Sequence, residues 1–369
     1  MDLFGILLLG KQQNEKNCLL APFPCHFFLI SCSLQNSNKL FISESYENNK
    51  DPNLFVFYAD DSVKQIPKYG YIDRKGRVII KAQFDEAGEF YEGLASVRFN
   101  KDKLGYVDKV GKVNILPSSW KVEPYSKFSE GIAPVEINNK YGYIGKSLSI
   151  VISPKFIYAG NFREGVAEVA VDKKIGYIDR SGKMVIAPQF DEGSSFYEGL
   201  AAVKVGGKWG YINKTGKIVI QPKFDTAFPF SEGLAVVGSV GTEGRKLGYI
   251  SKTGKTVIPL IFSDALSFRQ GLAPVFVNRK WGYINKLGKV TIPFQFDLAD
   301  EFSEELAIVK IGNQSGYIDR NGKIVIPPQF RAVEKFKNGL ASVTFKNFYG
   351  WKSGYIDKGG KFVWSRSSI

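Results

Sequence analysis

The chain is poor in the side chains on which most hydrolytic and redox chemistry depends. Its 369 residues include one histidine, three cysteines and two methionines. The histidine, His26, and the cysteines, Cys18, Cys25 and Cys32, all fall in the first 32 residues. Everything after Cys32 therefore lacks both thiol and imidazole. That excludes Cys/His nucleophilic pairs, Ser-His-Asp triads and His- or Cys-ligated metal centres from most of the chain. Three cysteines also cannot build a secreted disulfide scaffold. There is no clustered Asp-x-Asp-x-Asp calcium loop, so no metal and no cofactor are expected. No apolar run reaches the eighteen or so residues of a membrane-spanning helix. What is abundant is glycine (38), phenylalanine (29) and tyrosine (18), a balance that favours short strands and turns. The formal net charge of +14 suits an anionic partner.

Residues 1–32 read as an apolar leader. A first apolar run covers Leu3 to Leu9, and a second covers Cys18 to Ser33 behind Lys11 and Lys16. The second has the length and order of a secretory signal and ends in Leu29-Ile30-Ser31-Cys32, which resembles the bacterial lipobox. Cys32 is thus a candidate lipidation site, and residues 33–53 are a polar tether. Pro22 and Pro24 interrupt the run, and the alternatives are an irregular apolar leader or a short buried segment packing on the array.

From residue 54 to 364 the sequence repeats itself; residues 365–369 form a tail. Gly-Tyr recurs at Gly70, Gly105, Gly142, Gly176, Gly210, Gly248, Gly282, Gly316 and Gly354, at spacings of 34 to 38 residues. Each unit contains an alternating run such as Ala201, Val203 and Val205, an aromatic run Trp209 to Ile212, and a β-branched run Ile218 to Ile220. Between the second and third runs lies Asp-x-x-Gly, as in Asp73 to Gly76, the chemistry of a tight hairpin closing on a glycine. The third copy has Gly145 and Leu148 in those places and is expected to be remodelled. Pro134 and Pro274 fall inside the first run and mark it as an edge strand.

The expected fold is therefore all-β: about nine three-stranded antiparallel repeats, stacked as propeller blades or as an open β-superhelix. A single meander is marginal alone. Burial of residues such as Ile218, Ile220, Phe224 and Phe230 between neighbours contributes about 1.5–3 kcal/mol each, so stability comes from the array. Nine units exceed the usual four to eight blades of a propeller, which leaves the open form in contention.

Lys208-Trp209-Gly210 and Lys280-Trp281-Gly282 stand together with Gly-Tyr-Ile-Asp, Ile-x-Pro-x-Phe-Asp and Phe-x-Glu-Gly-Leu-Ala. In this combination the chain resembles the bacterial WG (Lys-Trp-Gly) repeat family over residues 54–364. The resemblance implies repeat-mediated interaction and carries over no catalytic residue. Tryptophan is replaced by Tyr69, Leu104, Tyr141, Ile175, Leu247, Ser315 or Ser353 in the other copies.

Two cation series recur. One follows the turn glycine: Arg77, Lys112, Lys183, Lys217, Lys255, Lys289, Lys323 and Lys361. The other follows the end of the middle strand: Arg74, Lys109, Lys146, Arg180, Lys214, Lys252, Lys286, Arg320 and Lys358. They form either a track for a polyanion or a solvated rim that discourages edge pairing. Glutamates recur at Glu92, Glu130, Glu164, Glu198, Glu232 and Glu304; their like environments point to turn capping rather than a glycosidase pair. Trp209 and Trp281 are expected in the core. Copies differ most at the insertions Ser118 to Tyr125, Gly238 to Lys246 and Lys346 to Ser353, where function is sought first. Phe348, Tyr349 and Trp351, with Lys217, Lys255 and Lys289, are the candidate partner contacts. The expectation is a non-catalytic, monomeric binding protein, lipid-anchored in a bacterial envelope, with a protein or anionic glycan favoured over nucleic acid as partner. The alternative is a cytoplasmic protein-interaction scaffold, and a carboxylate-only glycan-active enzyme ranks last.

Overall fold

The computed structural model describes residues 54–60, 67–100, 103–122, 127–242, 244–348 and 350–365. The chain divides into Met1–Asn48 and Asn49–Ile369, and every described residue belongs to the second unit. The leader with Cys32 and the tether lie outside the described residues.

Nine small antiparallel sheets follow one another along the chain. Blade 5 shows the pattern: a two-residue lead strand Glu192–Gly193, a first strand Leu200–Val205, a middle strand Lys208–Asn213 and an edge strand Ile218–Phe224. Eight blades have this order, and blade 1 has the three long strands only. The meander expected from the repeats is thus present in every blade. The lead strand is a small addition, made as the chain passes into the next sheet: Phe224 ends the edge strand of blade 5, and Thr226–Ala227 already pairs with Gly238 and Val237 of blade 6.

The first strand does not alternate between core and solvent. Leu200, Ala201, Ala202 and Val203 are all buried, because each sheet is pressed between two neighbours. Small residues such as Ala201 and Ala202 let the sheets approach. Alternation appears instead on the edge strand, where Ile220 and Phe224 point inward and Val219 and Gln221 outward.

The repeated glycine before tyrosine has a steric cause. A bulge carries the edge strand over it, so a methyl group on Gly282 would stand 2.7 Å from the Ile292 carbonyl oxygen and 2.8 Å from the Phe294 ring. The Asp-x-x-Gly hairpins form as read: Asp179 Oδ1 accepts from the backbone N–H of Ser181 and Lys183, and Gly182 takes φ 81°. The third hairpin is not remodelled. Leu148 N–H donates to Gly145 O at 2.8 Å and Gly145 N–H to Ser149 O at 3.0 Å, with Leu148 held at φ 59°. Ring packing therefore imposes the turn even on a residue that disfavours it, at a strain of roughly 1–2 kcal/mol.

Pro134 and Pro274 do not mark an edge. Their strand lies inside the sheet, between lead and middle strands. Proline is tolerated because the two-residue lead strand pairs only with Val275 and Phe276, one residue past Pro274. The missing N–H would face the loop beyond, where Leu266 N–H still donates to Pro274 O at 3.0 Å. The equivalent Ala202 N–H of blade 5 needs the Ser194 hydroxyl, at 3.1 Å. The true edge is the third long strand, which carries its own Pro154, Pro188, Pro222, Pro259 and Pro293.

The array is a closed ring, which decides between the two expected forms. At seven of the nine joints the tyrosine of Gly-Tyr is buried and its hydroxyl donates to a carbonyl 17 residues on, in the next blade, among them Tyr211 to Phe228 O at 2.8 Å, Tyr177 to Ser194 O at 2.9 Å and Tyr317 to Glu334 O at 2.7 Å. At the seam Tyr355 of blade 9 donates to Val56 O of blade 1 at 2.7 Å. Phe55, Phe57, Ile72 and Leu340 form the seam core with Tyr355 and Trp364 against them. Tyr106 departs from the rule, its hydroxyl finding no partner among the described residues; position 123 lies in an insertion outside them.

Two stability predictions follow from the joints. Tyr211→Phe leaves the Phe228 carbonyl buried without its donor and is expected to lower the unfolding free energy by about 1–3 kcal/mol in chemical denaturation. Gly282→Ala forces the edge strand off the middle strand and should be destabilising by a similar ~1–3 kcal/mol; an unchanged midpoint would contradict the close-approach account.

Candidate functional site

The ring has two ends, one carrying the hairpins between first and middle strands, the other the turns between middle and edge strands. Each end is stitched by a repeated carboxylate, and these networks decide which charges are available to a partner.

At the turn end, Glu-Gly forms a two-residue hairpin loop with both residues at positive φ: Glu198 at 52° and Gly199 at 84°, closed by paired hydrogen bonds between Tyr197 and Leu200. The glutamate then reaches the next blade. Glu198 accepts from Gly233 N–H at 3.0 Å and pairs with Lys252 at 3.0 Å. Glu92 does the same with Gly131 and Lys146, Glu232 with Gly271 and Lys286, and Glu304 with Gly339 and Lys358. Glu164 holds Gly199 and Lys214. The recurring glutamates are therefore joint residues, and they occupy Lys146, Lys214, Lys252, Lys286 and Lys358 of one cation series.

The other series is different. Arg77 pairs with Asp73 at 2.7 Å, but Lys217, Lys255 and Lys289 are exposed and have no ion-pair partner among the described residues.

At the hairpin end, the lysine of Lys-Trp-Gly, or of Lys-Ile-Gly in blade 4, meets the aspartate of Phe-Asp. Lys208 to Asp225 is 2.5 Å, Lys280 to Asp297 2.6 Å and Lys174 to Asp191 2.6 Å. The second oxygen of each aspartate accepts from the following blade's hairpin, Val240, Gly312 and Gly206 N–H respectively. The Lys208 ammonium and the Val240 N–H hold the Asp225 carboxyl below the usual range. Lys208 thus acts between blades, while Trp209 and Trp281 are core residues, as expected.

Two of the three insertions fall at this end, in blades 6 and 9; of the third, residues 123–125 lie outside the described residues. In blade 3, Trp120–Lys121 pairs with Ile137 and Glu136 beside the hairpin. In blades 6 and 9 both hairpin strands lengthen to eight residues, Leu234–Gly241 with Gly244–Ser251 and Leu340–Asn347 with Gly350–Asp357. Val240 is 62% exposed, Phe348 96% and Trp351 50%, with the Arg331 guanidinium 4.7 Å from the Trp351 ring. Tyr349 lies outside the described residues. Phe348 and Trp351 are therefore at the opposite end of the ring from Lys217, Lys255 and Lys289, and the candidate contacts are two surfaces.

Among the described residues no cluster of acids could hold a metal ion. A shallow cleft of about 250 Å³ lined by Gln83, Phe84, Phe99, Asn100, Val113 and Ile115 presents no nucleophile.

Sequence reasoning overlooked Glu168. It occupies the first-strand position held elsewhere by Ser96, Pro134, Ala202, Val236, Pro274, Ile308 and Ser342, and comparing those columns would have singled it out. Glu168 is buried, with both carboxylate oxygens 3.1 Å from the Ser195 hydroxyl of the next blade. Gly160 leaves the space its carboxylate fills. Burial pushes its carboxyl up to about 7, opposed by the Ser195 hydrogen bond and the nearby Arg163. The folded state thus holds this proton more tightly than the unfolded chain. Its stabilising effect is complete below about pH 4.5, declines as pH rises, and is gone above about pH 7. Wild-type unfolding free energy should fall between pH 5 and 8 by on the order of 2–3 kcal/mol more than that of Glu168→Gln. Parallel pH profiles from urea melts would refute this.

The pattern of WG containing repeats matches residues 69–101, 105–141, 141–174, 175–209, 209–238, 248–281, 281–314 and 316–347. No curated protein matches the chain. Among solved structures it is similar to the computationally designed protein Ika8, at 11% identity and TM-score 0.44 over 75% of this chain and 94% of that one. It is also similar to BamB from Moraxella catarrhalis, at 10% and 0.44 over 73% and 95%. A third is apo AztD from Citrobacter koseri, at 12% and 0.38 over 74% and 93%. No partner or activity follows from likenesses this distant. The eight matches cover most of the ring and contain the Lys-Trp-Gly and Glu-Gly elements that stitch its joints, and the chain belongs to the WG containing repeat family.

Proposed function

We propose that this propeller is a non-catalytic binding protein that presents its partner surface at the hairpin end. The observation that carries the reading is that two of the three insertions, otherwise unrelated in sequence, lengthen the hairpins of blades 6 and 9 and so emerge at that end. Repetition makes the remaining loops alike, so recognition of one partner falls to the places where copies differ. An exposed phenylalanine and a half-exposed tryptophan beside an arginine are the side chains that anchor protein interfaces. The recurring acids, by contrast, are engaged at the joints, which favours binding over carboxylate catalysis. We further propose that the chain is held at a bacterial cell envelope by a lipid on Cys32, which keeps the ring near the membrane through the polar tether.

A photo-crosslinking residue at Phe348 in vivo should yield a discrete adduct that is lost on Trp351→Ser, while the same probe at Thr215, on the opposite end, should not. Identical adducts from both positions would remove the assignment of the hairpin end. Mass spectrometry of the native amino terminus reads the anchor separately: a diacylated or triacylated Cys32 is expected, and an intact unmodified Met1 would refute it.

A further inference from the structure

The turn end carries a second surface that the partner reading does not use. Among its turns that carry a cation after the turn glycine, the three consecutive ones in blades 5, 6 and 7 differ from the others in one respect. Asp73, Asp108, Asp179, Asp319 and Asp357 open the turns of blades 1, 2, 4, 8 and 9, but Asn213, Ser251 and Asn285 stand in their place here. The turn geometry survives, since Asn213 Oδ1 accepts from Thr215 and Lys217 N–H, and Asn285 Oδ1 from Leu287 and Lys289 N–H. Only the negative charge is gone. The acids that remain nearby, Glu164, Glu198 and Glu232, are matched one to one by Lys214, Lys252 and Lys286. Lys217, Lys255 and Lys289 are left as three uncompensated cations on adjacent blades. At the tip of the third of these turns Leu287 is 88% exposed, where the neighbouring turns have Thr253 and Asn321.

We infer that this sector docks on the headgroup surface of an anionic lipid bilayer. Equivalent positions of a closed ring lie at one level, so a flat surface meets Lys217, Lys255 and Lys289 together, and each basic side chain near such a surface adds to binding. Leu287, at the tip of a turn, is placed to enter the boundary between headgroups and acyl chains. A free acidic polymer would have to follow the arc of the ring and would gain nothing from an apolar tip. The three turns offer no aromatic ring for base stacking, which disfavours single-stranded nucleic acid. This surface is at the end opposite Phe348 and Trp351, so both can be occupied at once.

The test uses the full chain with Cys32→Ser, so that no acyl chain contributes, in co-sedimentation with phosphatidylcholine vesicles with and without phosphatidylglycerol. Binding is expected only to the anionic vesicles and should vanish at molar salt. The triple variant Lys217→Gln, Lys255→Gln, Lys289→Gln should weaken it on the order of a hundredfold. Leu287→Ser should weaken it about fivefold while leaving retention on heparin unchanged. All four side chains are exposed, so melting temperatures should match the parent. Absence of vesicle binding, indifference to the triple variant, or a Leu287→Ser effect equal on heparin and vesicles would each overturn the inference, the last in favour of a soluble polyanion. None of these outcomes bears on the hairpin-end partner, which is read by cross-linking.

Discussion

The ring depends on a tyrosine hydroxyl that reaches out of one sheet into the next. A sheet pressed between two neighbours buries both faces, so any polar group placed there needs a partner or costs roughly 1–3 kcal/mol. The tyrosine of Gly-Tyr meets that constraint by finding a carbonyl 17 residues on, and it does so only if the next blade sits at one distance and one angle. The glycine before it follows from the same demand, because the bulged edge strand must cross directly above. Phenylalanines such as Phe196 and Phe230 then close edge-on against the tyrosine rings at about 5 Å. Repetition of this one joint around the chain sets the curvature, and curvature that brings Tyr355 to Val56 makes a closed ring.

Much of this was legible in the sequence, because period and turn chemistry are local. The Asp-x-x-Gly hairpins, the three long strands and the burial of Trp209 and Trp281 follow from residues close together in the chain. Closure was not legible, since it depends on the angle between blades, which no single repeat encodes. Pro134 and Pro274 misled for a related reason. A proline in a strand signals an edge only where the ladder continues past it, and the lead strand that ends one residue short is too brief to recognise in a sequence. Leu148 misled in the opposite direction: its turn looked changed, but packing on both sides held the backbone at positive φ.

The charges were the least legible part. Both lysine series have the same spacing and the same exposed setting at the turns, and composition treats them alike. Only the ring separates them, by bringing the glutamate of one blade against the lysine of the next, about 50 residues away in sequence. A net charge of +14 therefore overstates the positive surface at most turns and conceals its concentration at three of them.

A perfectly periodic ring would present nine equivalent sites and bind nothing in one orientation. Its repeated acids are already committed to the joints, so chemistry that distinguishes one blade from another has to come from departures from the repeat. The departures are few and differ in kind. Glu168 replaces a small or apolar residue in the core, Asn213, Ser251 and Asn285 withdraw charge from one sector, and the longer hairpins add apolar surface at the opposite end. Each spares the tyrosine joint: the substitutions fall in first strands or turns, and the longer hairpins of blades 6 and 9 leave Tyr249 bonded to Leu266 O and Tyr355 to Val56 O. That separation explains how the sequence of this ring can vary where it meets partners while the interaction that closes it stays the same.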